Sequence, residues 1–252
     1  PVKPDASIDA RANLRGSLWM TAAMAAFAVE DSLIKGAAKT VPIGEVLILF
    51  GLGGVLVFAC IALLNGERLY TSDVISRPMR IRVLFEITGR LFYGLAIALT
   101  PLSAATVILQ ATPIVVVASA AVVFGEKVGW RRWTAILIGF CGVLLVIRPG
   151  LEGFEPAALW GVLAVIGLAV RDLASRKVPK SISSLQLSAW GFFAVGVSGA
   201  ALLAFTGGAE VPSPREAGYL TGAVVVGVGA YWALTEATRI GEIGVVTPFR
   251  YS

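Results

Sequence analysis

Eight apolar runs of about 20 residues follow one another along this 252-residue chain, at 17–37, 44–64, 82–100, 103–124, 130–148, 157–177, 185–205 and 217–238, and a ninth begins near residue 242. A helix rises about 1.5 Å per residue, so about 20 residues cross a hydrocarbon core about 30 Å thick. The succession predicts an all-α, polytopic membrane protein. A soluble bundle would alternate buried helices with amphipathic ones that carry a polar face. Here 57% of residues are hydrophobic, 15% are charged and the mean hydropathy is +0.82, so the long segments are apolar on every side. Turn chemistry or charge separates the runs: Thr40-Val41-Pro42, the basic stretch 67–82, Thr100-Pro101, Gly125-Glu126-Lys127, Arg148-Pro149-Gly150, Pro179-Lys180 and the Pro/Gly-rich stretch 207–215.

Both cysteines, Cys60 and Cys141, fall inside apolar runs and read as small packing residues, with no disulfide framework or paired metal motif. The first fifteen residues are polar and the first apolar run is full length, so that run is expected to act as the insertion signal. Lys and Arg are retained on the cytoplasmic side. With the N-terminus inside, fifteen of the 21 basic residues lie at cytoplasmic ends, including Arg82, Arg171 and Arg176, while Lys35, Lys39, Arg148 and Arg215 lie outside. The formal charge of +5 then reports topology and contact with anionic lipid, and calls for no nucleic acid.

Internal repetition adds an architecture. Ala28-Val29-Glu30-Asp31 in the first run matches Ala169-Val170-Arg171-Asp172 in the sixth, 141 residues later. Tyr93 in the third matches Tyr231 in the eighth at 138 residues, and the short connection 100–103 corresponds to 238–241. Five helices per repeat is an odd number, so the second copy enters from the opposite face. That is the inverted 5+5 arrangement of many secondary transporters, with cargo bound near the midplane between the halves. The expected organisation is a cytoplasmic segment 1–16, a first repeat 17–150 and a second repeat 151–252. By the same offset Ser252 corresponds to Ile114, so a ten-helix protein is expected here truncated within helix nine.

Leu109-Gln110-Ala111-Thr112-Pro113-Ile114, then Phe124-Gly125-Glu126-Lys127-Val128-Gly129-Trp130-Arg131-Arg132-Trp133, then Ile138-Gly139-Phe140-Cys141-Gly142 running on to Arg148-Pro149-Gly150, resemble the end of a repeat in the EamA-type drug/metabolite transporter superfamily. Thr247-Pro248-Phe249-Arg250-Tyr251-Ser252 is similar to the ninth helix of bacterial members. Among relatives of known fold the chain most resembles the YddG-type amino-acid exporters. The resemblance implies ten helices around a central cavity in a bacterial inner membrane and transport without ATP. It also implies export of amino acids or similar small metabolites, with a vitamin or nucleotide-like cargo as the alternative.

Charges inside spans are costly in lipid and face protein or a watery cavity, which makes them the candidate sites. Glu86 and Arg90 are spaced i, i+4 on the third helix with Tyr93 a turn further, so one face presents a carboxylate, a guanidinium and a phenol. Such a face suits the two charges of an amino acid, and it equally suits mutual neutralisation. Glu30, deep in its span, is a candidate for a substrate amine or for proton coupling. Gln110 offers an amide to cargo or to a neighbouring helix. Tyr231 and Trp232 line a cavity or pack. Arg250 anchors a cargo carboxylate or pairs with Glu30 or Glu86. Pro113 and Pro248 each remove a backbone donor and are candidates for a helix break or gate. Arg171 and Asp172 are expected at the interface. Gly218 and Gly222, at GxxxG spacing, and Gly227 and Gly229 are expected to pack helices closely.

The sequence contains no His, which excludes HExxH zinc chemistry and His-assisted serine catalysis, and it has neither a GxSxG turn nor a phosphate-binding GxxxxGK[ST] loop. No enzyme, metal or cofactor is expected. The expected partners are a small-molecule substrate and the lipid bilayer, with the chain a monomer or weak oligomer.

Overall fold

The computed structural model describes residues 6–99, 108–109, 111–124, 129–147, 156–240, 243–246 and 249. The longer helices are α1 (Ala6–Ala37), α2 (Ile43–Leu64), α3 (Arg77–Leu99), α4 (Thr112–Phe124), α5 (Trp130–Ile147), α6 (Ala158–Lys177), α7 (Ser184–Thr206) and α8 (Pro214–Ile240), followed by a single turn, α9 (Ile243–Val246). A 3-10 turn, Ser72–Ile75, precedes α3, and the described residues hold no strand. Five of the helices, α1, α2, α6, α7 and α8, are long and apolar enough to cross a membrane. Each expected apolar run coincides with a helix, within a few residues at most ends. The exceptions are the run at 103–124, whose described helix starts at Thr112, residues 100–107 and 110 lying outside the described ones, and α1, which starts at Ala6 rather than near 17. Its first turns contain Ala, Arg and Leu, good enough helix formers to carry the helix beyond the apolar stretch.

Local chemistry explains the boundaries. Pro42 sits at the N-cap of α2, where its missing N–H costs no helical bond. Beyond Leu64, Gly66 takes φ +68, a backbone that stops a helix and favours glycine. A capping box starts α7: Ser183 Oγ accepts from the Gln186 N–H at 3.2 Å, and Gln186 Oε1 accepts from the Ser183 N–H at 2.9 Å.

Two compact units result. One contains residues 1–76 and 178–252, the other 77–177. In the first, α1 packs along α8 and α2 along α7, with α8 also touching α2 and α7. Its core is aromatic: the Phe192 ring lies 4.9 Å from Phe50, 4.9 Å from Tyr231 and 5.7 Å from Phe58. Helices α2 and α7 come into backbone contact through glycine. A Cβ on Gly51 would lie 2.4 Å from the Gly196 nitrogen, and one on Gly199 would lie 2.6 Å from the Gly44 carbonyl oxygen. Close packing therefore falls on these positions rather than on Gly218 and Gly229, which have nothing within 4 Å of a Cβ. Of the other two expected glycines, Gly227 is tightly enclosed and Gly222 is close to Leu33, 3.2 Å from a Cβ there.

At one end of this unit, the segment after α2 is laced to the start of α7. Glu67 accepts from Ser183 Oγ at 2.8 Å, Asp73 accepts from Ser181 Oγ at 2.5 Å, and the Arg68 carbonyl accepts from Gln186 Nε2 at 2.5 Å. Arg239 of α8 joins them by donating to the Ile182 carbonyl at 2.5 Å.

In the unit 77–177, α3 packs along α6, and α4 packs on α6 and α5. A Cβ on Gly167 would meet Gly89 Cα at 2.9 Å, so α3 and α6 touch backbone to backbone at that level. Phe92 stacks on Trp160 with ring centroids 5.5 Å apart.

Candidate functional site

Helical spacing places Arg82, Glu86 and Arg90 on one face of α3, each four residues from the next. The contact of Gly89 with Gly167 brings α6 close enough for Arg171, one turn beyond Gly167, to reach that face. Arg171 Nη1 donates to Glu86 Oε1 at 2.8 Å. Arg90 Nε donates to the same oxygen at 3.3 Å, as the i, i+4 spacing predicts. Arg82 Nη2 stands 3.8 Å from Glu86 Oε2, and its Nε donates to Ser175 Oγ at 3.0 Å. Ser175 in turn donates to the Arg171 carbonyl at 2.8 Å. Asp172 Oδ1 accepts from Arg171 Nε at 2.9 Å and lies 2.7 Å from Nη2.

Three guanidiniums and two carboxylates thus meet inside one unit, leaving one positive charge in excess among these five side chains. Glu86 is fully buried, while the Arg90 side chain keeps 22% of its surface. Burying ions in a medium of low dielectric is costly, and mutual pairing with extra hydrogen bonds is what makes it tolerable. The arrangement can therefore do two things chemically: neutralise itself, and offer an anion the guanidinium at its accessible edge. Tyr93, one turn beyond Arg90, is half-buried.

Arg171, read as interfacial, and Arg82, read as lying at a cytoplasmic end, are both buried and turned to Glu86. The missed signal lay in the repeat. Matching Ala28-Val29-Glu30-Asp31 to Ala169-Val170-Arg171-Asp172 aligns Arg171 with Glu30, a residue read as deep in its span, and both are buried.

In the other unit Glu30 is 4% exposed on α1. Gly227 of α8 makes its room: a Cβ there would meet Phe50 at 2.7 Å and Glu30 Oε2 at 3.0 Å. Among the described residues of this unit Glu30 is the buried charged side chain, the others being the polar Ser17, Gln186, Ser188, Ser198 and Thr235. Tyr231 belongs to the aromatic core, 2% exposed, edge-on to Phe27 at 5.6 Å. Trp232, its neighbour, points the other way, 40% exposed and T-shaped against Trp19 at 4.9 Å. One residue is about 100° of helix rotation, so the two aromatics cannot share a face. Pro113 lies in the first turn of α4, where proline is compatible with a helix. Gln110, Pro248 and Arg250 lie outside the described residues. No group of three metal-ligating side chains occurs among the described residues.

The sequence profile of the EamA-like transporter family matches residues 14–148 and 155–252. An S-adenosylmethionine uptake transporter of Rickettsia prowazekii is 26% identical over 175 residues, covering 69% of this chain and 59% of the relative. A riboflavin transporter of Vibrio cholerae is 24% identical, covering 95% of this chain and 81% of its own. A pseudopaline exporter of Pseudomonas aeruginosa is 25% identical, covering 94% and 82%. The chain therefore spans less than two thirds of the rickettsial relative's length. A solved crystal structure at 19% identity superposes with a TM-score of 0.72 over 95% of this chain and 86% of its own, which shows a shared fold.

Proposed function

We propose a transport function for this chain, which belongs to the EamA-like transporter family of the drug/metabolite transporter superfamily. It carries small metabolites bearing an amino-acid head group across a bacterial inner membrane, with its N-terminus in the cytoplasm. Arg90 holds the cargo carboxylate. The observation that carries this reading is the buried cluster on α3 and α6, which has a positive charge in excess and in which Arg90 keeps accessible surface while Glu86 has none. A planar guanidinium recognises a carboxylate bidentately, which gives geometry as well as attraction. S-adenosylmethionine carries such a head group, and the named activity of the rickettsial relative supports cargo of this kind for the present chain.

Alternating access by two inverted five-helix repeats accounts for movement. The packing within each unit supports it: α1 lies along α8 as α6 lies along α3, and α2 lies along α7. Exchanging each helix for the one five later turns the first pair into the second and returns the third to itself. Export is the proposed direction, as the similarity to the pseudopaline exporter supports, and Glu30 is the proposed proton-coupling carboxylate. A vitamin cargo is the second reading, favoured by the likeness to a riboflavin transporter across nearly the whole chain.

The test is reconstitution of the full-length protein in liposomes, with labelled amino acids, S-adenosylmethionine, nucleosides and riboflavin offered with and without a proton gradient. Saturable counterflow of an amino-acid-bearing cargo, lost in Arg90→Ala with folding retained, is the expected result. Counterflow of riboflavin alone, indifferent to Arg90, sinks the amino-acid reading and upholds the second.

A further inference from the structure

We infer that the cavity enclosed by α2, the segment 65–70 and α7 is a lipid site, which takes a length of acyl chain from an anionic phospholipid whose phosphate meets Arg68. The site is independent of the cargo reading above.

One face of α7 builds it. Ser183, Gln186 and Trp190 are spaced three and four residues apart, so they lie on one side of the helix, and they hold three consecutive residues of the segment after α2. Ser183 Oγ donates to Glu67 at 2.8 Å, Gln186 Nε2 to the Arg68 carbonyl at 2.5 Å, and Trp190 Nε1 to the Leu69 carbonyl at 3.3 Å. The segment is thereby pinned along α7. Leu69 and Tyr70 wall a cavity of about 130 Å³ together with Val55 of α2 and with Ala189, Trp190 and Phe193 of α7.

The lining is almost wholly apolar, and the Trp190 N–H is already given to Leu69. A water needs two to four polar partners, a demand this lining does not meet, whereas an apolar cavity of about 150 Å³ takes a group the size of benzene. The cavity opens outward, since Tyr70 is 62% and Phe193 46% exposed. Around α2 and α7, both long and apolar enough to cross a membrane, the surroundings are hydrocarbon. Depth identifies the part of the lipid. Val55 lies nine residues before the end of α2 and Phe193 nine after the start of α7. That is about 14 Å of helix, against about 15 Å for half a hydrocarbon core. The cavity therefore lies at the level of one leaflet's acyl chains, with the segment 65–70 at the level of their head groups. Charge gives the head-group class: Arg68 is exposed there, while Glu67 and Asp73, the acids of the stretch 65–76, are engaged by the hydroxyls of Ser183 and Ser181. A guanidinium two residues from Tyr70 suits a lipid phosphate, and one basic side chain near the bilayer surface favours an anionic lipid about fivefold.

The probes are phosphatidylglycerol and phosphatidylcholine brominated on the acyl chain, because bromine quenches tryptophan fluorescence on contact. Each is added in increasing fraction to phosphatidylcholine nanodiscs holding the full-length protein, and the Trp190 signal is the difference between the parent and Trp190→Phe. Quenching by brominated phosphatidylglycerol is expected to saturate at about a fivefold lower fraction than quenching by brominated phosphatidylcholine. Arg68→Gln is expected to remove that difference and leave quenching by brominated phosphatidylcholine unchanged. Ala189→Leu, which fills the cavity from α7, is expected to abolish saturable quenching, and Val55→Phe does the same from α2 should the first variant fail to fold. Quenching that only rises in proportion to the brominated fraction, equal quenching by the two lipids, or saturable quenching that persists with the cavity filled overturns the site. Release of the bound lipid by amino acids or riboflavin would make the cavity a cargo site, and protection of Trp190 in discs holding two copies would make it a contact between copies; either result also overturns the inference.

Discussion

Arg171 shows how a single side chain can organise a helix pair. It donates to Glu86 on α3 and to Asp172 on its own helix, and its carbonyl accepts from Ser175, which accepts from Arg82. Removing it leaves Glu86 buried with its shortest bond gone. Arg171→Gln is therefore expected to cost about 3–5 kcal/mol of stability, read as a fall in the unfolding transition of the purified protein. Adding Glu86→Gln to it should recover part of that loss, a coupling that a double-mutant cycle measures directly. Strict additivity of the two would show that the pair is not energetically linked. Tyr231 belongs to the same scale but to a different chemistry. Its ring closes the aromatic core against Phe192 and Phe27, so Tyr231→Ala should cost about 3–5 kcal/mol through the cavity it leaves. Equal stability of the variant and the parent would return Tyr231 to the cavity-lining role the sequence allowed.

Among the elements, α2 and α7 depend on the absence of side chains where they touch. Dispersion between closely approaching backbones drives helix association in lipid, where the hydrophobic effect supplies little. A Cβ on Gly51 would stand 2.4 Å from the backbone nitrogen of Gly196, and a flexible neighbour cannot relieve a clash with backbone. Gly51→Leu should accordingly prevent the pair from forming, seen as loss of a monodisperse peak in detergent. Gly218→Leu, at a position with nothing within 4 Å, should leave that peak intact. The apolar pattern announced every one of these helices, since about 20 consecutive apolar residues have few alternatives to a spanning helix. It did not say which glycines would touch, because glycine spacing recurs along many helices and only a partner selects the face. The capping box at α7 is of the opposite kind. Ser183 and Gln186 act within one turn, and Ser183→Ala should cost about 0.5–2 kcal/mol, checked by thermal unfolding against the parent.

For the molecule as a whole, the excess of Lys and Arg at alternate ends of the spans predicts the orientation. A reporter active only in the cytoplasm should work when fused before residue 6, and one active only outside should work when inserted in 207–213. The reverse pattern would invert the proposed topology and with it the assignment of an exporting direction. What the sequence by itself determined is the membrane class, the positions of most helices and that Glu86 and Arg90 share a helix face within reach of one another, because each rests on composition or on neighbours within two turns of helix, while its motifs carried the likeness to the family. Only the tertiary structure decided that Arg82 and Arg171 are interior, that Tyr231 is core while Trp232 faces outward, and that Gly89 and Gly167 meet. Those outcomes depend on which helix packs against which, over separations of 80 residues or more between Glu86 and Arg171. The partner of a buried charge is legible from sequence only when it is local; when the counterion comes from another helix, packing alone brings the two together.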